Sequence, residues 1–249
     1  MATDKFLIQM CGWLIGIPLQ VLVIAALARG PYRRYPMVFC YVAASFVTTL
    51  VEIPVYTEAW LAGNAAVLRH AARVYWVDES ILQVLIFAAV ISLIAQATAA
   101  SRRRRLMRVG LAVGAILFAA TSLFVHYRPL PVKFGYWMTP WIRDLGVCAT
   151  ILDLALWMML IASRKSDRRL LLISGALGMQ FTGEAIGEAI RDLSVPNMVQ
   201  ALSLTGSVVA MLANLACLYV WWQTFRSARE GVPHSAEYKK SREEFPRGS

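Results

Sequence analysis

Residues 78–105 read DESILQVLIFAAVISLIAQATAASRRRR, and this pattern indicates the class of fold. The stretch carries no charge from Ser80 to Ser101 and then ends on consecutive arginines. About 20 apolar residues are the length that a helix needs to cross the roughly 30 Å hydrocarbon core of a bilayer. The stretch therefore predicts a transmembrane helix that ends at a basic membrane surface.

Other stretches of similar length and polarity lie on either side of it. The predicted spans are 6–28, 37–58, 78–99, 106–126, 143–163, 170–190 and 198–223. The chain of 249 residues is 58% hydrophobic and 16% charged, whereas a soluble domain is on average about 25% charged. The sequence therefore predicts an all-α integral membrane protein, a single bundle of seven transmembrane helices over residues 1–226.

The basic residues are distributed unevenly between the loops. The first, third and fifth loops and the C-terminal tail hold 18 of the 25 lysines and arginines. Because loops rich in lysine and arginine stay in the cytoplasm, we expect the N-terminus outside and the C-terminus in the cytoplasm. The net charge of +10 is then mainly a determinant of orientation. The absence of targeting motifs and of Asn-x-Ser/Thr acceptors favours the plasma membrane of a bacterium, the inner membrane.

Two segments lie outside the predicted spans. Residues 60–77 combine aromatic, basic and small apolar side chains, which predicts an amphipathic helix on the outer membrane surface. Residues 227–249 are polar, and we expect them to form a disordered cytoplasmic tail.

A basic doublet recurs in the two halves of the chain. Arg33-Arg34 and Arg168-Arg169 each precede a span that is expected to run outward, with Glu52 and Glu188 near the respective outer ends. A parallel repeat of spans 1–3 and 5–7, joined by an inverting fourth span, would produce this pattern. Chance together with the positive-inside rule explains the pattern equally well, so the 3+1+3 repeat is one of two interpretations.

Acidic residues inside the spans are the main functional signal. There are four of them: Glu52, Asp153, Glu184 and Glu188. Because an ionisable group in hydrocarbon is costly, it usually faces the bundle interior and indicates a functional site. In the expected orientation the glutamates lie in the outer third of the membrane and Asp153 lies near the midplane. We predict an outward-facing acidic cavity that binds or translocates a small cationic solute, an ion or a proton.

Arginines near the outer helix ends offer a second role for these acids. The predicted charge partners are Arg73, Arg143 and Arg191. If they pair with the acids, the result is a structural network of salt bridges. The chain would then be an accessory subunit of a larger membrane complex, or a non-catalytic receptor or sensor subunit. The sequence leaves these alternatives open.

Small residues in the last two spans predict close helix packing. Gly183 and Gly187 form a small-xxx-small pair beside the glutamates, and Gly206, Ala210 and Ala213 lie along one face of the seventh span.

Sequence motifs of enzymes and cofactor-binding proteins are missing. The chain has no GxSxG, HExxH, P-loop or GxGxxG motif and no CxxC pair among its 4 cysteines. No lysine lies within a span, which excludes a retinal Schiff base, and no histidine lies at mid-span. We therefore expect no enzymatic activity, no cofactor and no metal centre.

The arginine run has a simple interpretation at a membrane surface. Arg102, Arg103, Arg104 and Arg105 directly precede a span, so we expect them to attract anionic lipid headgroups. The chain has no independent basic domain that could enter a groove of DNA or RNA, which argues against a nucleic-acid partner. Other membrane subunits and a small cationic solute or proton stay open as partners.

Overall fold

The structure is a computed structural model of the chain, and it describes residues 2–62, 65–98, 104–126, 135–162, 167–197 and 200–226. The regular structure in these ranges is helical: α1 (Ala2–Ala28), α2 (Pro36–Ala62), α3 (Ala65–Ala97), α4 (Arg104–His126), α5 (Gly135–Ala162), α6 (Arg168–Asn197) and α7 (Gln200–Arg226). A 3₁₀ turn, Pro31–Arg33, lies between α1 and α2. The tail expected over 227–249 lies outside the described residues.

The seven helices correspond to the seven predicted spans and confirm a helical membrane bundle. Within the described ranges, 6 helices contain an apolar stretch long enough to cross a membrane, for example Leu7–Ala28. α4 contributes a shorter apolar stretch, Val113–His126, within a helix of 23 residues. At 1.5 Å per residue α4 is about 35 Å long, which matches the thickness of a bilayer core. The orientation in the membrane stays a prediction.

A closed ring of helices surrounds a packed centre. Contacts run from α1 to α2, α2 to α3, α3 to α5, α5 to α6, α6 to α7 and from α7 back to α1. α4 lies outside this ring, against α3 and α5. The same order of contacts occurs in α1–α3 and in α5–α7, which is the arrangement that a 3+1+3 repeat requires. The repeat itself stays a prediction.

Aromatic side chains fill the centre of the ring. The Trp221 ring of α7 is fully buried and meets the ring of Tyr41 on α2 edge-on, with 5.9 Å between centroids. The Trp221 indole N–H donates a hydrogen bond of 3.2 Å to the carbonyl of Ile173 on α6. This side chain therefore holds α2, α6 and α7 together from the inside.

Small residues allow α6 and α7 to approach closely. A Cβ atom added to Gly183 would collide with Cβ of Ala213, and one added to Gly187 would collide with the carbonyl oxygen of Gly206 and approach Ala210. The predicted close packing through the small-xxx-small pair is confirmed. This face of α6 is consequently occupied by α7.

The start of α3 differs from the sequence-based prediction. Most of segment 60–77 belongs to α3, which begins at Ala65 and continues without interruption to Ala97, and not to a separate surface helix. The reason is that no glycine or proline occurs between these residues to break the helix. With 33 residues, α3 is about 50 Å long. Asp78 and Glu79 therefore lie in the middle of a helix and not at its end.

Candidate functional site

Asp153 is the most deeply buried of the predicted site residues, with 2% of its surface exposed. It extends from α5 to α6, where Ser174 Oγ donates a hydrogen bond of 2.7 Å to Asp153 Oδ1. The second carboxyl oxygen faces Gly178, because a Cβ added there would lie 3.3 Å from Oδ2. Gly178 therefore leaves the space in which the carboxyl group fits between the two helices.

Glu184 lies on α6 and is held by a neutral side chain. Gln180 Nε2, one turn earlier, donates hydrogen bonds of 2.9 Å to Glu184 Oε1 and of 2.9 Å to the hydroxyl oxygen of Tyr41 on α2. Gln180 is 3% exposed, and its Oε1 has no hydrogen-bond partner among the residues that the structure describes. A buried carbonyl oxygen of this kind usually binds a water molecule or another polar group. The amide thus offers an acceptor directly beside a carboxyl group.

Glu188 lies one turn further along α6 but in a different environment. Its side chain is 61% exposed, and its Oε1 is 3.9 Å from Arg191 Nη2. Glu184 and Glu188 share a helix face by position. Packing separates them, since Glu184 is held inside by Gln180 whereas Glu188 reaches the surface.

Glu79 of α3 lies within electrostatic range of glutamates on two other helices, α2 and α6. Glu52 of α2 is half-buried and within electrostatic range of Asp78 and Glu79 on α3. Glu79 is also within electrostatic range of Glu184 and Glu188 on α6. We term these five residues the acidic cluster, in which Asp78 and Glu79 lie near the middle of α3 and Glu52 lies well before the end of α2.

The three predicted arginine partners differ in which acids they act on. Arg191 reaches the acidic cluster, where it acts on Glu79 and Glu184 and lies near Glu188. Arg143 is exposed and acts on the adjacent Asp144. Arg73 is also exposed, and the ion pairs of the described residues include none from it.

The two inner acids are hydrogen-bonded to neutral groups. Asp153 accepts from the Ser174 hydroxyl, and Glu184 accepts from the Gln180 amide. Cys217 of α7 is fully buried and within electrostatic range of both acids. A carboxylate in such a position carries a charge that its hydrogen-bond partner does not neutralise.

Sequence reasoning missed Asp78, Glu79, Ser174, Gln180 and Tyr41, and three of them show what signal the sequence offered. Gln180 had a local signal, because it is a polar residue in an apolar helix one turn from Glu184. For Glu79 the signal was the absence of glycine and proline from Ala65 to Ala97, which indicates that this residue lies inside a helix and not at a helix end. Tyr41 had none, since its contact with Gln180 joins residues 139 positions apart in the chain.

A separate polar contact fixes α4 to the outside of the ring. Asp144 Oδ2 on α5 accepts a hydrogen bond of 2.7 Å from Ser122 Oγ and lies 3.0 Å from His126 Nε2, both on α4. Nearby, the Trp141 indole N–H donates to the carbonyl of Ala119 at 3.3 Å. These bonds attach the C-terminal half of α4 to α5.

No group of three or more His, Cys, Asp or Glu side chains in the described ranges could hold a metal ion. The Cys, Asp and Glu side chains near the ring centre come from different helices and do not converge on one coordination centre.

Comparisons with protein-family models, with curated proteins and with solved structures find no match for this chain. The class of protein therefore follows from the fold and the site. The chain is a multi-pass helical membrane protein whose ring of helices encloses hydrogen-bonded carboxyl groups.

Proposed function

We propose that the chain has a non-catalytic role in which Asp153 and Glu184 bind a proton or small monovalent cation and pass it along the inner face of α6. The observation that supports this most directly is the neutral character of their partners, Ser174 and Gln180. A carboxylate inside a membrane whose hydrogen-bond partner is neutral costs a few kcal/mol or more. A proton or cation at each acid would remove that cost.

The polar residues on α6 are spaced for stepwise movement. Ser174, Gln180, Glu184 and Glu188 follow one another along the helix. At 1.5 Å per residue the distance from Ser174 to Glu188 is about 21 Å, which is most of the hydrocarbon thickness. The unpartnered Oε1 of Gln180 would supply a neutral ligand between the deeper and the outer acids.

The acidic cluster would attract cations toward the two inner acids. It contains five acids, and Arg191 is the base that acts on Glu79 and Glu184. An excess of one charge sign in a low-dielectric surround raises the local concentration of counter-ions. We propose that the acidic cluster lies in the outer half of a bacterial inner membrane, in line with the positive-inside distribution of lysine and arginine.

A transport assay tests the proposal directly. The purified chain is reconstituted into liposomes that contain a pH-sensitive dye, a potassium diffusion potential is applied, and proton entry is followed. Uptake of labelled sodium, potassium and choline is measured in parallel. Wild type should dissipate one of these gradients, and Glu184→Gln and Asp153→Asn should lower that flux at least about tenfold, since each removes a charge that the site requires.

Glu58→Gln provides the matched control. Glu58 is an exposed glutamate of α2 outside the acidic cluster, so its replacement should leave the flux unchanged. Flux no higher than in empty liposomes, or full flux in both Glu184→Gln and Asp153→Asn, would refute the proposal.

The contact between Glu188 and Arg191 favours a second candidate function. An acid paired with an arginine at a helix end is a common structural device. In this alternative the chain is an accessory or receptor subunit, it gives no flux, and it co-purifies with another membrane protein. Loss of that association in Arg191→Gln, with unchanged unfolding temperature, would support it.

A further inference from the structure

An apolar groove opens between the peripheral helix α4 and the ring. It has a volume of about 450 Å³ and is lined from three helices, by Phe87 and Ile94 of α3, Gly110 and Gly114 of α4, and Leu152 and Met159 of α5. Thr98 also lines it, but its hydroxyl donates to the carbonyl of Ile94 at 2.9 Å and is thereby satisfied. The groove therefore offers carbon surface to whatever enters it.

The glycines of α4 keep the groove open. A Cβ atom added to Gly110 or Gly114 would meet nothing within 4 Å. This differs from Gly183 and Gly187 on α6, where an added Cβ would collide with α7. The small residues of α4 therefore border space that no residue of the described chain fills.

The groove ends near the most basic part of the sequence. Gly110 lies six residues after Arg104, the first residue of α4, and Arg105 and Arg108 lie between them. Six residues of helix span about 9 Å. The sequence thus puts basic residues in the turns of α4 that precede the groove, on the side that the positive-inside rule assigns to the cytoplasm.

We infer that this groove binds an anionic phospholipid, with one acyl chain between α4 and the ring and the headgroup at the arginines that begin α4. Apolar lining suits an acyl chain, and basic clusters between or beside transmembrane helices suit anionic headgroups. From Phe87 to Thr98 the groove follows α3 for about 16 Å, so it takes the part of an acyl chain nearest the headgroup. The inference does not depend on the proposed transport function.

The groove has the size of a site for a small molecule or a single lipid chain. It lies within the range of about 300–1,000 Å³ that is typical of pockets for small molecules.

Lipid retention tests the inference. The purified full-length chain in mild detergent is mixed with equal amounts of phosphatidylglycerol and phosphatidylcholine, and bound lipid is counted by native mass spectrometry. Thermal unfolding with each lipid alone is recorded alongside. We expect wild type to retain phosphatidylglycerol at least about fivefold over phosphatidylcholine and to unfold at a higher temperature with it.

Two kinds of variant test the site for the acyl chain and the site for the headgroup independently. Gly114→Leu fills the groove and should reduce retention of both lipids severalfold, whereas Ile116→Phe enlarges an exposed side chain of the same helix and should not. Arg104→Gln with Arg105→Gln should abolish the preference for phosphatidylglycerol. The same double change at Arg168 and Arg169, two exposed arginines at the start of α6, should preserve it.

The inference is overturned if wild type retains both lipids equally, or if Gly114→Leu and wild type retain the same amount of phosphatidylglycerol. It is also overturned if the lipid-free chain is a dimer that Gly114→Leu dissociates, because the groove would then belong to a second copy. If Gly114→Leu does not fold, the lipid preference of wild type and of the two arginine double variants still decides the question.

Discussion

Ser174 and Asp153 are both buried, and the Ser174 hydroxyl donates a hydrogen bond of 2.7 Å that joins α6 to the carboxyl group on α5. Removal of a buried donor leaves its acceptor unsatisfied at a cost of about 1–3 kcal/mol. We therefore expect Ser174→Ala to lower the unfolding temperature measured in detergent. Thr182→Ala is the control, since Thr182 is exposed and its hydroxyl donates to the carbonyl of Gly178 in the same helix. An equal decrease in unfolding temperature in the two variants would show that the hydrogen bond from Ser174 to Asp153 stabilises the fold no more than the local bond of Thr182 does.

Gln180 holds Glu184 and Tyr41 through a single amide nitrogen. We expect Tyr41→Phe to cost about 1 kcal/mol of stability and to leave the liposome flux nearly unchanged, because Gln180 still donates to Glu184. Gln180→Leu should lower the flux about tenfold, since Glu184 then loses its donor and the path loses a neutral ligand. Flux and unfolding temperature are measured on the same preparations. A larger flux loss in Tyr41→Phe than in Gln180→Leu would contradict this assignment.

The approach of Gly187 to Gly206 makes α6 and α7 intolerant of larger residues. An added side chain at Gly187 would meet the Gly206 carbonyl oxygen and Ala210. Overpacking of this kind costs about 1–3 kcal/mol or more, so Gly187→Leu should greatly reduce the yield of folded protein in size-exclusion chromatography. Ala185→Leu, at an exposed position of the same helix, should give a wild-type yield. Normal yield from both variants would mean that the two helices can separate without loss of the fold.

Asp167 has two contacts that substitutions can separate. It forms an ion pair with Arg34, and its Oδ1 accepts a hydrogen bond of 3.0 Å from the backbone N–H of Arg169, which caps the start of α6. The pair is largely exposed and should contribute at most about 1 kcal/mol, whereas loss of a helix cap costs about 0.5–2 kcal/mol. We expect Asp167→Ala to destabilise more than Arg34→Ala, and Asp167→Asn to behave like Arg34→Ala. Unfolding curves of the three variants, collected at low and high salt, provide the comparison.

The contacts of Asp144 predict how firmly α4 is attached. Asp144→Ala removes the acceptor for Ser122 and the partner of His126. We expect amide exchange in the C-terminal half of α4 to accelerate about fivefold or more, as follows from the loss of about 1 kcal/mol of local stability. Arg143→Ala changes the exposed neighbour and should leave the exchange unaltered. Acceleration that extended equally to α1 and α7 would indicate global destabilisation in place of local release.

The sequence could predict seven helices, of which six in the described ranges are long and apolar enough to cross a membrane, because the requirement is local. A run of apolar residues long enough to cross the bilayer must satisfy its backbone hydrogen bonds within itself, and the helix does so. The same reasoning placed a boundary before Asp78, where charge enters the sequence, although α3 continues through it. Charge marks the limits of an apolar run, but only glycine, proline or a change of environment ends a helix.

The acids were also visible locally, because a carboxyl group within an apolar run is rare. The different environment of each acid could not be predicted from the local sequence. Asp153 is buried against Ser174, Glu184 is held by Gln180, and Glu188 reaches the surface one turn later on the same helix. Which neighbour each acid meets depends on how α5, α6 and α2 are placed.

The amino-acid sequence by itself determined the number of helices and the presence of carboxyl groups among them, since these depend on residues close together in the chain. Only the tertiary structure decided which helices are neighbours. α3 packs directly against α5 although α4 lies between them in the sequence, and α7 packs against α1 to close the ring. The contact between Gln180 and Tyr41 depends on the same packing. In a membrane the lipid is as apolar as most of each helix surface, so hydrophobicity does not specify which helices are neighbours. Steric fit between small residues and hydrogen bonds between distant side chains make that choice, and they form only once the helices are packed together.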